Sequence, residues 1–168
     1  PSSLILEEQA AMTAPIGDFD ASELLNLKVD KYSTITVKQN HYSVPEAYVG
    51  KTVRVKSGTN SIRVFDNYEL LAEHKRIWGV HEWQMDLYHY LTTLGHKKGA
   101  LENSQGFKQA PQQIKFIYEN YYNNNQKDFI ALLHFIREEN NLSDIIAIIK
   151  ELERKPFFEI STEKLIFL

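Results

Sequence analysis

Arg54, Lys56 and Arg63 are the residues of this 168-residue chain whose types and spacing point most directly to chemistry. Arg54 and Lys56 alternate with Val53 and Val55, and Arg63 stands between Ile62 and Val64. Successive side chains of a strand point to opposite faces, so the valines and Ile62 turn inward and the three cations turn outward. Facing residues of a hairpin lie about 5 Å apart, which gathers the three into one cationic patch. Such a patch contacts phosphates: it positions a polyanion without reading its sequence. Lys31 lies early in the first strand segment, Lys75 and Arg76 follow a later one, and Lys97-Lys98 adds another pair. All five are candidates for the same role. No aromatic residue interleaves the cations along the chain, so stacking on single strands is not expected to dominate.

Other chemistries are missing their residues. With no cysteine in the chain, disulfides, thiol catalysis and cysteine-based zinc sites are excluded. There is no glycine-rich phosphate loop, no serine nucleophile elbow and no His-Glu-x-x-His. His74, His81 and His89 fit no common metal-ligand spacing and are expected at the rim of a β-unit. No acidic pair sits at strand ends in a way suited to two divalent ions. The chain is therefore expected to carry out no reaction alone and to hold no metal or cofactor. It has neither a membrane-length apolar run nor a signal-peptide opening, which points to the cytoplasm.

Charge is uneven. The net charge is −3, yet residues 1–26 carry five acids and no Lys or Arg, and residues 27–98 hold 11 Lys/Arg against 7 Asp/Glu. Residues 99–168 return to a slight acidic excess, 8 against 10. Only the middle segment attracts a polyanion.

The elements that must position these groups follow from periodicity. Residues 1–26, interrupted by Pro15 and Gly17, read as a linker from an upstream domain. Residues 27–74 read as strands: Lys28–Lys38, a turn at Asn40-His41, Tyr42–Val44 stopped by Pro45, Lys51–Lys56, Ile62–Phe65 and Tyr68–His74. Asp66-Asn67 suits a tight hairpin. Five to six short strands without room for crossover helices imply a small antiparallel β-barrel, because closure removes exposed edges. Tyr42, Tyr68 and Trp78 are expected to close its ends, with base-stacking platforms as the alternative, and Trp83, Tyr88 and Tyr90 to pack a short helix over Met85–Leu94 against it. The barrel with this helix is assigned to 27–103, with a loop from Gly95 to Gly106, and a helical region to 104–168. Helices are expected after Pro111, around Phe129–Ile136, and after a Ser143 cap. Tyr118, Tyr121, Phe129 and Phe135 form an aromatic set at helical spacing, suited to core packing or to a partner-binding groove. The fold class is α+β.

Several motifs in fixed order carry a resemblance. They are Val29-Asp30-Lys31-Tyr32-Ser33, Tyr42-Ser43-Val44-Pro45, Val49-Gly50-Lys51-Thr52-Val53-Arg54-Val55, Ile62-Arg63-Val64-Phe65, Leu71-Ala72-Glu73-His74, His89-Tyr90-Leu91 and Lys97-Lys98-Gly99-Ala100-Leu101. This order resembles the C-terminal part of IstA-type bacterial insertion-sequence transposases, and the barrel resembles the one after the catalytic domain of phage Mu transposase. Two positions depart from the pattern: Asp66-Asn67 stands where Asp-Gly is common, and His96-Lys97-Lys98-Gly99-Ala100 lacks a usual proline, which should loosen that corner.

The resemblance implies a non-catalytic C-terminal fragment of a bacterial transposase, cytoplasmic and on the nucleoid when acting. The divalent metal and the strand-transfer chemistry would belong to a ribonuclease H-like domain upstream. Double-stranded DNA is the implied partner, with Lys31, Arg54, Lys56, Arg63, Lys75, Arg76, Lys97 and Lys98 as contacts in transposon-complex assembly. The alternative is a protein-interaction module whose helices dock a helper ATPase of IstB type or other transposase subunits.

Overall fold

The computed structural model describes residues 21–168. Among the described residues seven strands precede seven α-helices, and the fold is α+β. The strands are β1 (Glu23–Lys28), β2 (Thr34–Val37), β3 (Asn40–Ser43), β4 (Thr52–Ser57), β5 (Ser61–Asp66), β6 (Glu69–Lys75) and β7 (Trp83–Gln84). They form a four-stranded antiparallel sheet in the order β1-β4-β5-β6 and a three-stranded sheet in the order β2-β3-β7, in which β7 runs parallel to β3. Both sheets bury their inner faces in one core, with Ile35, Val37 and Tyr42 from one and Val53, Val55, Ile62 and Val64 from the other. Among the described residues no ladder joins the two sheets, so the unit is barrel-like and not closed.

Several details differ from the periodicity reading. Glu23–Lys28 is a strand, not linker; residues 1–20 of that expected linker lie outside the described residues. Its Leu-Leu-Asn-Leu lacks β-branching, and its strand character comes from pairing all six residues with β4 while Leu25 and Leu27 pack on the core. The β2–β3 turn is made by Lys38 and Gln39, both at positive φ (48° and 67°), and not by Asn40-His41. Asn40 is in the ladder, and its buried amide donates to the Gly79 carbonyl (2.7 Å) and accepts from the Glu82 N–H (3.0 Å). A long-range need therefore takes the asparagine, and two poor turn residues accept the left-handed cost of roughly 1–2 kcal/mol each. Asn67 does hold the positive φ of the β5–β6 hairpin (52°).

The helices are α1 (Leu91–His96), α2 (Ala100–Asn103), α3 (Gln105–Gln109), α4 (Gln112–Ile117, continued by a π turn through Tyr122), α5 (Gln126–Glu139), α6 (Leu142–Leu152) and α7 (Thr162–Ile166). The Gly95–Gly106 stretch, expected as loop, is thus largely helical. Its pieces are too short for periodicity to register, and side chains cap them: Ser104 Oγ accepts from Phe107 N–H at the start of α3. Asn141, not Ser143, precedes α6. The corner that lacks a proline is clamped by Gln126, whose amide donates to the Leu94 and Lys97 carbonyls (2.9 Å each) and accepts from Gly99 N–H (3.0 Å). The helical core runs from Leu87 to Leu165 and is separate from the sheet core. Among the described residues no helix is long and apolar enough to cross a membrane.

Candidate nucleic-acid interface

The alternation of β4 and β5 sorts their side chains as the sequence implies. Val53, Val55, Ile62 and Val64 are buried, and Arg54 and Arg63 are exposed. Lys56 lies directly opposite Arg63 across the ladder, and Lys75 of β6 lies opposite Ser61 of β5. Arg54 follows on the same face, two residues from Lys56 on β4. Like charges placed directly opposite each other destabilise a sheet. Glu73 on the same face tempers this: Arg63 Nε donates to Glu73 Oε1 at 2.7 Å, both side chains about half exposed (48% and 47%). Arg76 lies past the end of β6. Its guanidinium donates to the Gly58 carbonyl (2.6 Å) and sits 4.4 Å from the ring centroid of Trp78, which is exposed. Arg76 and Lys75 therefore flank the β4–β5 turn, beside Lys56 and Arg63.

The remaining sequence candidates lie elsewhere. Lys31 and Lys97 line a cleft of about 1140 Å³ between the sheet unit and the helical unit. Lys98 is exposed on the corner after α1. The eight cations thus divide into a sheet-face group (Arg54, Lys56, Arg63, Lys75, Arg76) and a group along the cleft (Lys31, Lys97), with Lys98 beside it.

The aromatic residues divide too. Tyr42 is core, its hydroxyl accepting from Ile77 N–H (2.9 Å), while Tyr68 is almost fully exposed at the hairpin tip. Trp83 does not pack a helix onto the sheet. It belongs to β7, stacks on His41 with centroids 3.9 Å apart, and lines the cleft. Tyr90 does tie the two units, its hydroxyl reaching the Tyr32 and Ser33 carbonyls (3.2 and 3.3 Å). Of the set suggested for partner binding, Tyr118 and Phe129 are enclosed in the helical core, and only Tyr121 and Phe135 reach the surface in part. The Tyr121 hydroxyl donates to Glu153, and burial followed by that bond pushes it up to about 12.

A polar hub at the seam was invisible in the sequence. His74 and His89 are buried (6% and 8% exposed) and meet edge to face at 5.7 Å, not at a rim. His74 Nε2 donates to the Ser43 carbonyl (2.6 Å). The Asp86 N–H donates to Ser43 Oγ, and Ser43 Oγ bonds His89 Nδ1, both at 2.8 Å. A neutral His89 carrying its proton on Nε2 completes this chain, with that nitrogen 4.0 Å from the Asp86 carboxylate. Burial holds both imidazoles below the usual histidine range, against the pull of Asp86. Nearby, burial pulls the Glu46 carboxyl up, but hydrogen bonds from Thr93 and Thr92 outweigh it and hold the group below its ordinary value. Among the described residues no three His, Asp or Glu side chains could jointly hold a metal ion.

Comparison with known proteins places this geometry. Residues 14–86 match the family model described as Mu transposase, C-terminal domain, and that range takes in the whole seven-stranded unit. A transposase for insertion sequences IS1326/IS1353 from Pseudomonas aeruginosa is 28% identical over 114 residues, 65% of this chain and 22% of that protein. The transposase for insertion sequence element IS21, also from Pseudomonas aeruginosa, is 34% identical over 82 residues, 47% of this chain and 20% of the relative. The transposase of IS232 from Bacillus thuringiensis subsp. berliner is 43% identical over 49 residues, 29% of this chain and 11% of the relative. The chain thus spans about a fifth or less of the length of these relatives. No solved structure matches it. The seven-stranded unit is similar to the Mu transposase C-terminal domain, and the chain is similar to the C-terminal region of insertion-sequence transposases.

Proposed function

We propose that this chain is the non-catalytic C-terminal part of a bacterial insertion-sequence transposase. In this reading the outer face of β4, β5 and β6 grips duplex DNA by its phosphates during assembly of the transposition complex. One observation carries it: Lys56 and Arg63 stand directly opposite each other, with Arg54 and Lys75 on the same face. Cations gathered on one face suit the phosphates of a duplex backbone. Cations at this spacing suit backbone contact to a duplex and not base readout. The divalent metal and the strand-transfer chemistry would then belong to another domain of the parent protein.

The test is duplex binding as a function of salt. Affinity should fall linearly on a log–log plot, because neutralised phosphates release counterions. Reversing Arg54, Lys56 and Arg63 to glutamate should weaken binding and lower the slope by about three. Unchanged affinity and slope after the triple reversal would remove this face from the DNA interface.

A second reading has its own observation. An apolar groove of about 400 Å³ between α4 and α6 is lined by Ile117, Ile146 and Ile149 and edged by Phe116, which is half exposed. It suits a docking helix of the helper ATPase or of another transposase subunit. Phe116→Ser should then reduce capture of the purified helper and leave the DNA salt slope untouched.

A further inference from the structure

We infer that the cleft between the sheet unit and the helical unit takes an unpaired DNA strand, with a base on Trp83 and backbone phosphates between Lys31 and Lys97. The inference rests on the reading of this chain as a DNA-contacting part, but concerns a different surface and a different form of DNA. The cleft brings Lys97, distant in the sequence, together with Lys31, Tyr32 and Trp83. Trp83 is backed on one face by the nearly parallel His41 ring (14°) and remains 42% exposed, so the indole is held in place yet accessible. Across the cleft mouth Tyr32 is 59% exposed, with Lys31 Nζ 5.0 Å from its ring centroid. The wall is braced by Gln109, whose amide donates to the Trp83 carbonyl (2.8 Å) and accepts from Met85 N–H (2.7 Å). A wall fixed before binding loses little freedom when it is occupied.

Charge and shape select the occupant. Among the described residues two lysines and one acid, Glu82, line the cleft, so an anionic chain is favoured. In a duplex both faces of each base are covered by its stacked neighbours. Only an unpaired base can offer a face to Trp83, and such stacking tolerates any sequence. The sheet face and the cleft would then hold the paired and unpaired portions of one DNA substrate.

The chain has two tryptophans, so Trp78→Phe leaves Trp83 as the sole reporter. Titration with oligothymidylate should quench its fluorescence, and an abasic oligonucleotide of equal length should not. The double reversal Lys31→Glu/Lys97→Glu, on two surface lysines, should weaken oligothymidylate binding about tenfold or more and blunt-duplex binding by a clearly smaller factor. Tyr32→Ser provides a milder second variant with the same direction. Absence of quenching, equal quenching by the abasic strand, or no loss on lysine reversal each overturns the inference. A tenfold preference for oligouridylate overturns the assignment to DNA. The two readings fail separately: if the Arg54/Lys56/Arg63 reversal spares duplex binding while oligothymidylate still quenches Trp83, the sheet face is wrong and the cleft stands.

Discussion

The sheet unit and the helical unit bury their apolar residues in different ways. The sheet core is built largely from Val and Ile, whose stiff branched side chains fill the space between two pleated surfaces. The helical core relies on rings: Phe129 touches Tyr118 and Tyr122 at centroid distances of 5.0 and 5.4 Å, and Phe107 meets Tyr118 at 5.3 Å. Buried tyrosines then need partners for their hydroxyls. Tyr118 donates to Glu102 (2.9 Å), and Tyr122 accepts from Thr162 (3.2 Å). The contrast shows that strand parity sorts the inward and outward faces of β4 and β5, whereas the ring-filled helical core also depends on partners for its tyrosine hydroxyls.

The sharpest way to break this contrast is to empty each core. Phe129→Ala should cost about 3–5 kcal/mol, and Ile62→Ala about 2–5 kcal/mol. Both residues are fully buried. Urea unfolding followed by far-UV circular dichroism should give one transition in each variant, because the Ser43–His74–His89–Asp86 hub joins the units. A split transition in Phe129→Ala would show that the seam does not couple them.

The hub itself comes next. Both histidines have folded-state values below the unfolded value of about 6.5, so the unfolded chain takes up protons first as pH falls. Their contribution is complete above about pH 6.5 and is lost as pH drops below it. The urea midpoint should be lower at pH 5.5 than at 7.5, and His89→Phe should narrow that difference. Ser43→Ala strands the Asp86 N–H and should cost about 1–3 kcal/mol at neutral pH.

Gly106→Ala probes the same seam through packing. A Cβ there would come within 3.0 Å of the Leu87 Cα, so α3 must shift away from the segment that follows β7. Thermal unfolding should report a loss of about 1–3 kcal/mol. The smallest stability effect belongs to the sheet face. Glu73→Gln removes a half-exposed ion pair with Arg63 and should change stability by only about 0.2–1 kcal/mol. The same change takes the opposing charge off the cationic face, so duplex affinity should rise even as stability dips. Lower affinity would argue that Glu73 holds Arg63 in its binding pose.

Much of the sheet unit was legible because its signals are local. Val53 to Val55 and Ile62 to Val64 state their own inward parity, and Asp66-Asn67 states its own hairpin. The helices around Ile114, Phe129 and Ile145 were equally plain, since each carries an apolar stripe at helical spacing. Strand β1 was missed because Leu-Leu-Asn-Leu becomes a strand only through its partner β4. The turn at Lys38-Gln39 was missed because Asn40, the better turn residue, is spent on the Gly79 and Glu82 backbone. Helices α2 and α3, only four and five residues long, hold too few turns to display a period.

The sequence by itself determined the class of fold, the inward and outward faces of β4 and β5, and the absence of cysteine chemistry. These depend on intervals of two to four residues, set by backbone geometry. Only the tertiary structure decided that Lys31 and Lys97 share a cleft with Trp83, and that Ser43 bonds a histidine 46 residues away. Such meetings follow from how two separately packed cores settle against each other, and no local periodicity encodes that.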